Sequence, residues 1–180
     1  MSDSQDVQAV GGINVLRSAW FTRPANTTAY AAGDVISDNA TTSKIIKFDE
    51  CARGRGSGII VSAMLVDGAN QSTKLDADLF IFTKQIDSYG GDNAAFTPTD
   101  EELGTLIGVV QFPSSSWRDG DATSGVGGNC VNAQAVTLPF RTLADANGSD
   151  DALYGVLVAR NAYTPVSVET FRVILGIAQD

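Results

Sequence analysis

The chain has 180 residues, 43% of them hydrophobic and 18% charged, which fits one globular domain with a substantial core and excludes a disordered chain. It contains no histidine, which removes histidine metal ligands, histidine general bases and any Ser-His or Cys-His nucleophile pair. A net charge of −9 argues against a nucleic-acid partner, whose phosphates need clustered Lys and Arg.

The first twelve residues are polar and end in Gly11-Gly12, as a docking arm would. They lack the basic and apolar regions of a signal peptide, and no apolar run in the chain approaches the ~18 residues of a membrane span. Residues 13–21 read as a strand or as an extended segment laid on a neighbour, and Pro24 limits helix there. The arm is therefore placed at 1–24 and the domain at 25–180. Residues 27–36 read as a strand broken by a Gly33-Asp34 kink, and 44–50 as a strand with Ile46 and Phe48 on one face. Arg53-Gly-Arg-Gly-Ser-Gly58 is a turn. Residues 59–66 form a strong strand closed by Asp67-Gly68. Residues 77–85 form another, with Leu79 and Ile81 opposite Phe80 and Phe82.

Residues 87–93 are a loop. Thr99-Asp-Glu-Glu102 has the pattern of a capping box, and Gly104 stops the helix after about one turn. Residues 105–112 are a strand, 113–129 a long Ser-, Gly- and Asp-rich loop, and 130–143 a strand with Val136, Leu138 and Phe140 on one face. After a polar turn at 145–151 come two terminal strands. The first, 153–159, is apolar on both faces. The second places Phe171, Val173, Leu175 and Ile177 on one face and Thr170, Arg172 and Gly176 with bulky Ile174 on the other. About eight strands, turn signals every 8–15 residues and one short helical turn point to an all-β antiparallel sandwich, jelly-roll-like, with an extended N-terminal arm.

No constellation of catalytic residues stands out. The Arg53–Gly58 turn precedes a strand and lacks the Walker pattern, so no helix N-terminus awaits a phosphate. Asp119-Gly-Asp121 and the 145–151 segment lack EF-hand spacing and read as solvated turns, not metal sites. Glu101 and Glu102 are accounted for by the cap, which leaves Glu50 and Glu169 as the other glutamates for a carboxylate-pair glycosidase. Trp20 and Trp117 could form a sugar platform, but an aromatic anchor against another protein is favoured. Cys51 and Cys130 sit outside any CxxC spacing, and two reduced thiols are favoured over one disulfide.

Charge is uneven. Residues 1–58 hold six acids and six bases, and the remainder holds 15 acids and six bases. The partner-facing region is therefore placed in the first third. Trp20 and Phe21 would be the buried anchors of the arm on a neighbouring chain. Arg17, Arg23, Arg53 and Arg55 would meet acidic residues of the partner.

Several segments form a familiar ordered set: Thr28-Ala-Tyr-Ala-Ala-Gly-Asp-Val-Ile36, Gly56-Ser-Gly-Ile-Ile60, Asp92-Asn-Ala-Ala-Phe-Thr-Pro-Thr-Asp-Glu-Glu102, Gly108-Val-Val110, and the run from Leu153 through Pro165 with Glu169-Thr-Phe-Arg-Val-Ile-Leu-Gly176. Over about residues 25–178 the pattern resembles small virion structural proteins of tailed bacteriophages, of the kind encoded near the major capsid protein. The resemblance implies a capsid decoration (cement) protein, a β-sandwich and often a homotrimer. It would be made in the host cytoplasm and bound to the major capsid protein on the outer surface of the virion. It implies no catalytic residue, no cofactor, no nucleic acid and no membrane. The alternative is a receptor- or carbohydrate-binding module of a phage tail or fibre. A small glycan-active enzyme would need a cleft with two carboxylates at catalytic separation.

Overall fold

The terminal strand organises the molecule. In the computed structural model, which describes residues 12–41, 46–52, 56–69, 71–87, 90–119, 128–133, 135–142 and 151–179, it is β12 (Thr170–Gln179). Its alternation is the one read from the sequence: Phe171, Val173, Leu175 and Ile177 are completely buried. It runs antiparallel to β5 (Ser57–Asp67) from Phe171 opposite Asp67 to Gln179 opposite Gly58, and the register slips once at Gly176/Ile177. The slip is what lets Ile60, Ala63 and Leu65 of β5 all reach the core despite their uneven spacing.

Around this pair forms a seven-stranded antiparallel sheet in the order β1 (Ile13–Arg17), β12, β5, β9 (Asn129–Asn132), β8 (Trp117–Asp119). The two-residue β2 (Phe21–Thr22) shares β12 with β1, and β10 (Leu138–Arg141) shares β5 with β9. The facing sheet has five strands. β3 (Val35–Ile36) and β4 (Ile46–Phe48) lie along one side of β11 (Leu153–Ala159), followed by β6 (Ala77–Phe82) and β7 (Leu106–Phe112). The inner faces meet in one core, with Leu79, Ile81, Phe112, Leu153 and Leu157 opposite the β12 and β5 residues.

The all-β sandwich and its single helical turn are as expected. α1 (Asp100–Leu103) is closed by the capping box: Thr99 Oγ1 accepts from the Glu102 amide at 3.2 Å and Glu102 Oε2 accepts from the Thr99 amide at 2.8 Å. Gly33, with φ of +96°, takes the kink placed at Gly33-Asp34. Cys51 is buried, Cys130 half-buried, and the two are unbonded. No helix among the described residues is long and apolar enough to cross a membrane.

Three expectations are corrected. The arm drawn at 1–24 is, in its second half, part of the sandwich: β1 pairs with β12 from Ile13–Ala178 to Arg17–Ile174, and β2 pairs Phe21 with Phe171. Residues 1–11 lie outside the described residues. The single strand read at 130–143 is two strands, β9 and β10, separated by Ala135 at a left-handed φ of +50°. The long loop at 113–129 contains a 3-10 turn, Ser114–Ser116, and then β8. Trp117 draws that segment into the sheet, because its ring fills the inner face and its Nε1 donates to the Leu75 carbonyl at 2.6 Å.

The two outer faces differ. On the five-stranded sheet, Tyr154, Val156 and Val158 of β11 are buried a second time under Ile86 and Phe96, with Phe80 and Phe82 beside them. That cover is why β11 is apolar on both faces. No such cover of described residues lies over the seven-stranded sheet.

Candidate docking face

The residues singled out as partner contacts separate into three groups. Arg17 and Trp20 are exposed on the seven-stranded sheet. Phe21 points the other way and packs against Phe171 with ring centroids 5.8 Å apart, so it anchors the chain's own core. Arg23 is a correction. Its side chain and that of Asp92 are 0% and 1% exposed, and they form an ion pair at 2.9 Å. Arg23 Nε donates to the Tyr30 hydroxyl, and its guanidinium lies 4.7 Å from the Tyr30 ring centroid. Asp92 Oδ1 accepts from Tyr30 at 2.5 Å and from the Ser37 amide at 3.0 Å. A base held in this way clamps β2 to the 92 loop and cannot meet a partner. Arg53 and Arg55 lie outside the described residues.

Of the residues weighed for a glycan site, Trp20 and Glu50 are exposed and line one surface pocket with Asp38 and Asp49, and Trp117, Glu102 and Glu169 are engaged within the fold. Trp117 is buried and is no platform. Glu102 serves the cap. Glu169 is buried, with Oε1 accepting from Tyr163 at 2.6 Å and Gln71 at 2.9 Å. Its carboxyl neighbour is Asp67, which shares a side-chain hydrogen bond with it, and the pair sits inside the fold and not in a cleft. Among the described residues no group of acids and cysteines is arranged to hold a metal ion. Asp119 is paired to Lys74 at 2.6 Å.

The Asp67–Glu169 pair makes stability depend on pH. Burial, and then the charge of Glu169, push the Asp67 carboxyl up from 3.8 to about 8. The fold therefore keeps a proton that the unfolded chain releases above pH ~4, so stability is full below that pH and falls as pH rises towards about 8. The expected loss is on the order of a few kcal/mol. Asp67→Asn should flatten the dependence, since an amide keeps donating to Glu169 without a titrating proton. Denaturant melts of both proteins at mildly acidic and mildly alkaline pH check this, and equal slopes would refute it.

The exposed group belongs to a larger surface that the strand register defines. One row across the outer face reads Ile13, Ala178, Ile59, Pro139. The next reads Val15, Gly176, Ser62, and the next Arg17, Ile174, Met64, Asn132. The last reads Arg172, Val66, Cys130, Arg118. Arg141 lies two residues past Pro139 on the same side of β10. Ile13, Val15 and Ile59 are 60%, 52% and 40% exposed, and Ile174, Met64 and Val66 are half-buried. The outer face of a sandwich normally carries polar side chains. Here its centre is aliphatic. Gly176 keeps it flat: a Cβ there would lie 2.3 Å from Ser62 Oγ and 3.5 Å from Ile13 Cγ2.

Arginines stand at the periphery. Arg172 donates from Nε to the Ser18 carbonyl at 2.9 Å and lies 5.6 Å from the ring centroid of Trp20, which is 50% exposed. Arg118 donates to the Trp117 carbonyl at 3.0 Å, and Arg17 and Arg141 project into solvent at other corners. Sequence reading reached Arg17 and Trp20 but missed the rest. Their shared face depends on pairings between distant segments, and the only local signal was the bulky Ile174 on the polar side of β12.

No protein-family model and no curated protein sequence matches the chain. Among solved structures, the capsid of Ralstonia phage GP4 is similar at a TM-score of 0.40 and 15% identity, over 96% of this chain and 88% of that one. The PRD1 vertex protein P5 is similar at 0.37 and 14%, over 94% and 100%. A family 35 carbohydrate binding module from an environmental isolate follows at 0.34 and 13%, over 93% and 92%. The chain thus bears a distant, jelly-roll-like structural similarity to viral capsid proteins, and at these scores the likeness carries no weight in assigning a function.

Proposed function

We propose that the chain is a virion structural protein that decorates the outer surface of a tailed-phage head and stabilises it by bridging capsomers. The observation that carries this reading is the uncovered aliphatic face of the seven-stranded sheet, ringed by arginines on a protein of net charge −9. Such a face is suited to another protein surface. The sequence pattern shared with small phage virion proteins supports the same reading, and the homotrimer rests on that pattern alone.

The physical effect is linkage. A ligand that binds only the assembled shell favours it, by ~2.7 kcal/mol at a hundredfold excess over Kd. Three linked copies would reinforce weak single contacts by raising effective concentration. The test is to strip the protein from parent particles, add it back, and measure copy number and the temperature of genome release. The expected result is a copy for every few capsid subunits and a higher release temperature with the protein bound. An unchanged temperature with a handful of copies per particle would replace this reading by a receptor- or carbohydrate-binding module of a tail or fibre.

A further inference from the structure

The outer face of the seven-stranded sheet has the anatomy of a protein interface, with an apolar centre and a charged rim. The charged strand positions on it are all basic, while Asp38, Asp49 and Glu50 stand beside Arg17 and Trp20 off the β1 edge. Arg17, Arg118, Arg141 and Arg172 occupy outward positions, no outward strand position on this face carries an acid, and none of the four forms an ion pair among the described residues. The chain as a whole has 21 acids and 12 bases, so this face is a local exception to the surrounding field.

Resting on the decoration reading above, we infer that this face docks on an acidic protein surface that is flat and apolar at its centre and presents carboxylates opposite the arginine corners. A second copy meeting it face to face is disfavoured, because arginine would oppose arginine. Duplex nucleic acid is a poor match too, because the arginines flank an aliphatic centre and do not line a phosphate track. The face measures roughly 20 by 25 Å from strand spacing and rise, somewhat under the ~800 Å² that each partner buries in a standard interface. Docking by one copy is therefore moderate, and its orientation is set by the charged rim.

The experiment measures binding of the full chain to stripped parent particles over a range of salt concentrations. Two double variants are compared, Arg118→Glu with Arg141→Glu, and Val15→Asp with Ile59→Asp. All four positions are exposed, and unchanged thermal melts establish that the variants fold. The charge reversal should weaken binding by about tenfold at low salt and flatten its salt dependence. The aspartate pair should abolish binding at every salt concentration. If wild type binds and both doubles bind equally well, the inference falls while the decoration reading stands. If the protein is absent from the particle, the decoration reading falls and takes the inference with it. Binding to phosphatidylserine vesicles or duplex DNA that both doubles impair as they impair particle binding would mark a general polyanion surface and overturn the acidic-protein assignment.

Discussion

Phe171→Ala should cost about 3–5 kcal/mol of folding stability, the range for emptying a well-packed aromatic site. Phe171 is completely buried, pairs with both Asp67 and Phe21 along the sheet, and holds the Phe21 ring against the core. A domain of this size has only about 5–15 kcal/mol in hand, so the variant should be poorly soluble and melt far below wild type. Ile174→Ala lies on the outer face of the same strand and is half-buried, so it should cost only about 1 kcal/mol. Urea unfolding of the two variants separates the faces. Equal losses, or a Phe171→Ala melt within a few degrees of wild type, would mean that β12 does not close the core.

Asp92→Asn should be nearly as damaging, at about 3–5 kcal/mol, because it strands the Arg23 charge in a fully buried site. The asparagine oxygen can still accept from Tyr30 and Ser37, so the loss is confined to the pairing with Arg23, its charge and its hydrogen bond to Asp92 Oδ2 together. Adding Arg23→Met to Asp92→Asn should recover more than half of the lost stability, since an unpaired buried cation is replaced by an apolar chain of similar length. Chemical denaturation of the singles and the double gives the coupling. No recovery in the double would mean that Arg23 acts through its contacts with Tyr30 and the Val166 carbonyl and not through its charge.

The parts of the fold that could be read from the sequence were those with local periodicity or local chemistry. The alternation of β12, the two-sided apolarity of β11 and the Thr99–Glu102 box each lie within a single short window. Arg23 was misread because its partner lies 69 residues away, and a lone base after an aromatic pair looks like a surface residue. β1 and β2 were assigned to an arm for the same reason, since nothing nearby in the sequence completes them. Their partner is β12. The docking face was legible only in fragments: Arg17 and Trp20 stood out, while Arg118 hid in a Ser-rich loop and Met64 in a largely apolar strand.

The central position of β12 has a kinetic consequence. Its neighbours β1 and β5 come much earlier in the chain, and the Asn14 and Gln179 side chains that meet across the sheet are 165 residues apart. Loop closure on that scale precedes any reward from pairing, which puts the protein among slow, high-contact-order folders on the millisecond-to-second scale. Until residues 170–179 have been made, β5 exposes an open edge, and half-made chains are the species most prone to pair with one another. The charge of −9 then acts as mutual repulsion that keeps nascent chains apart.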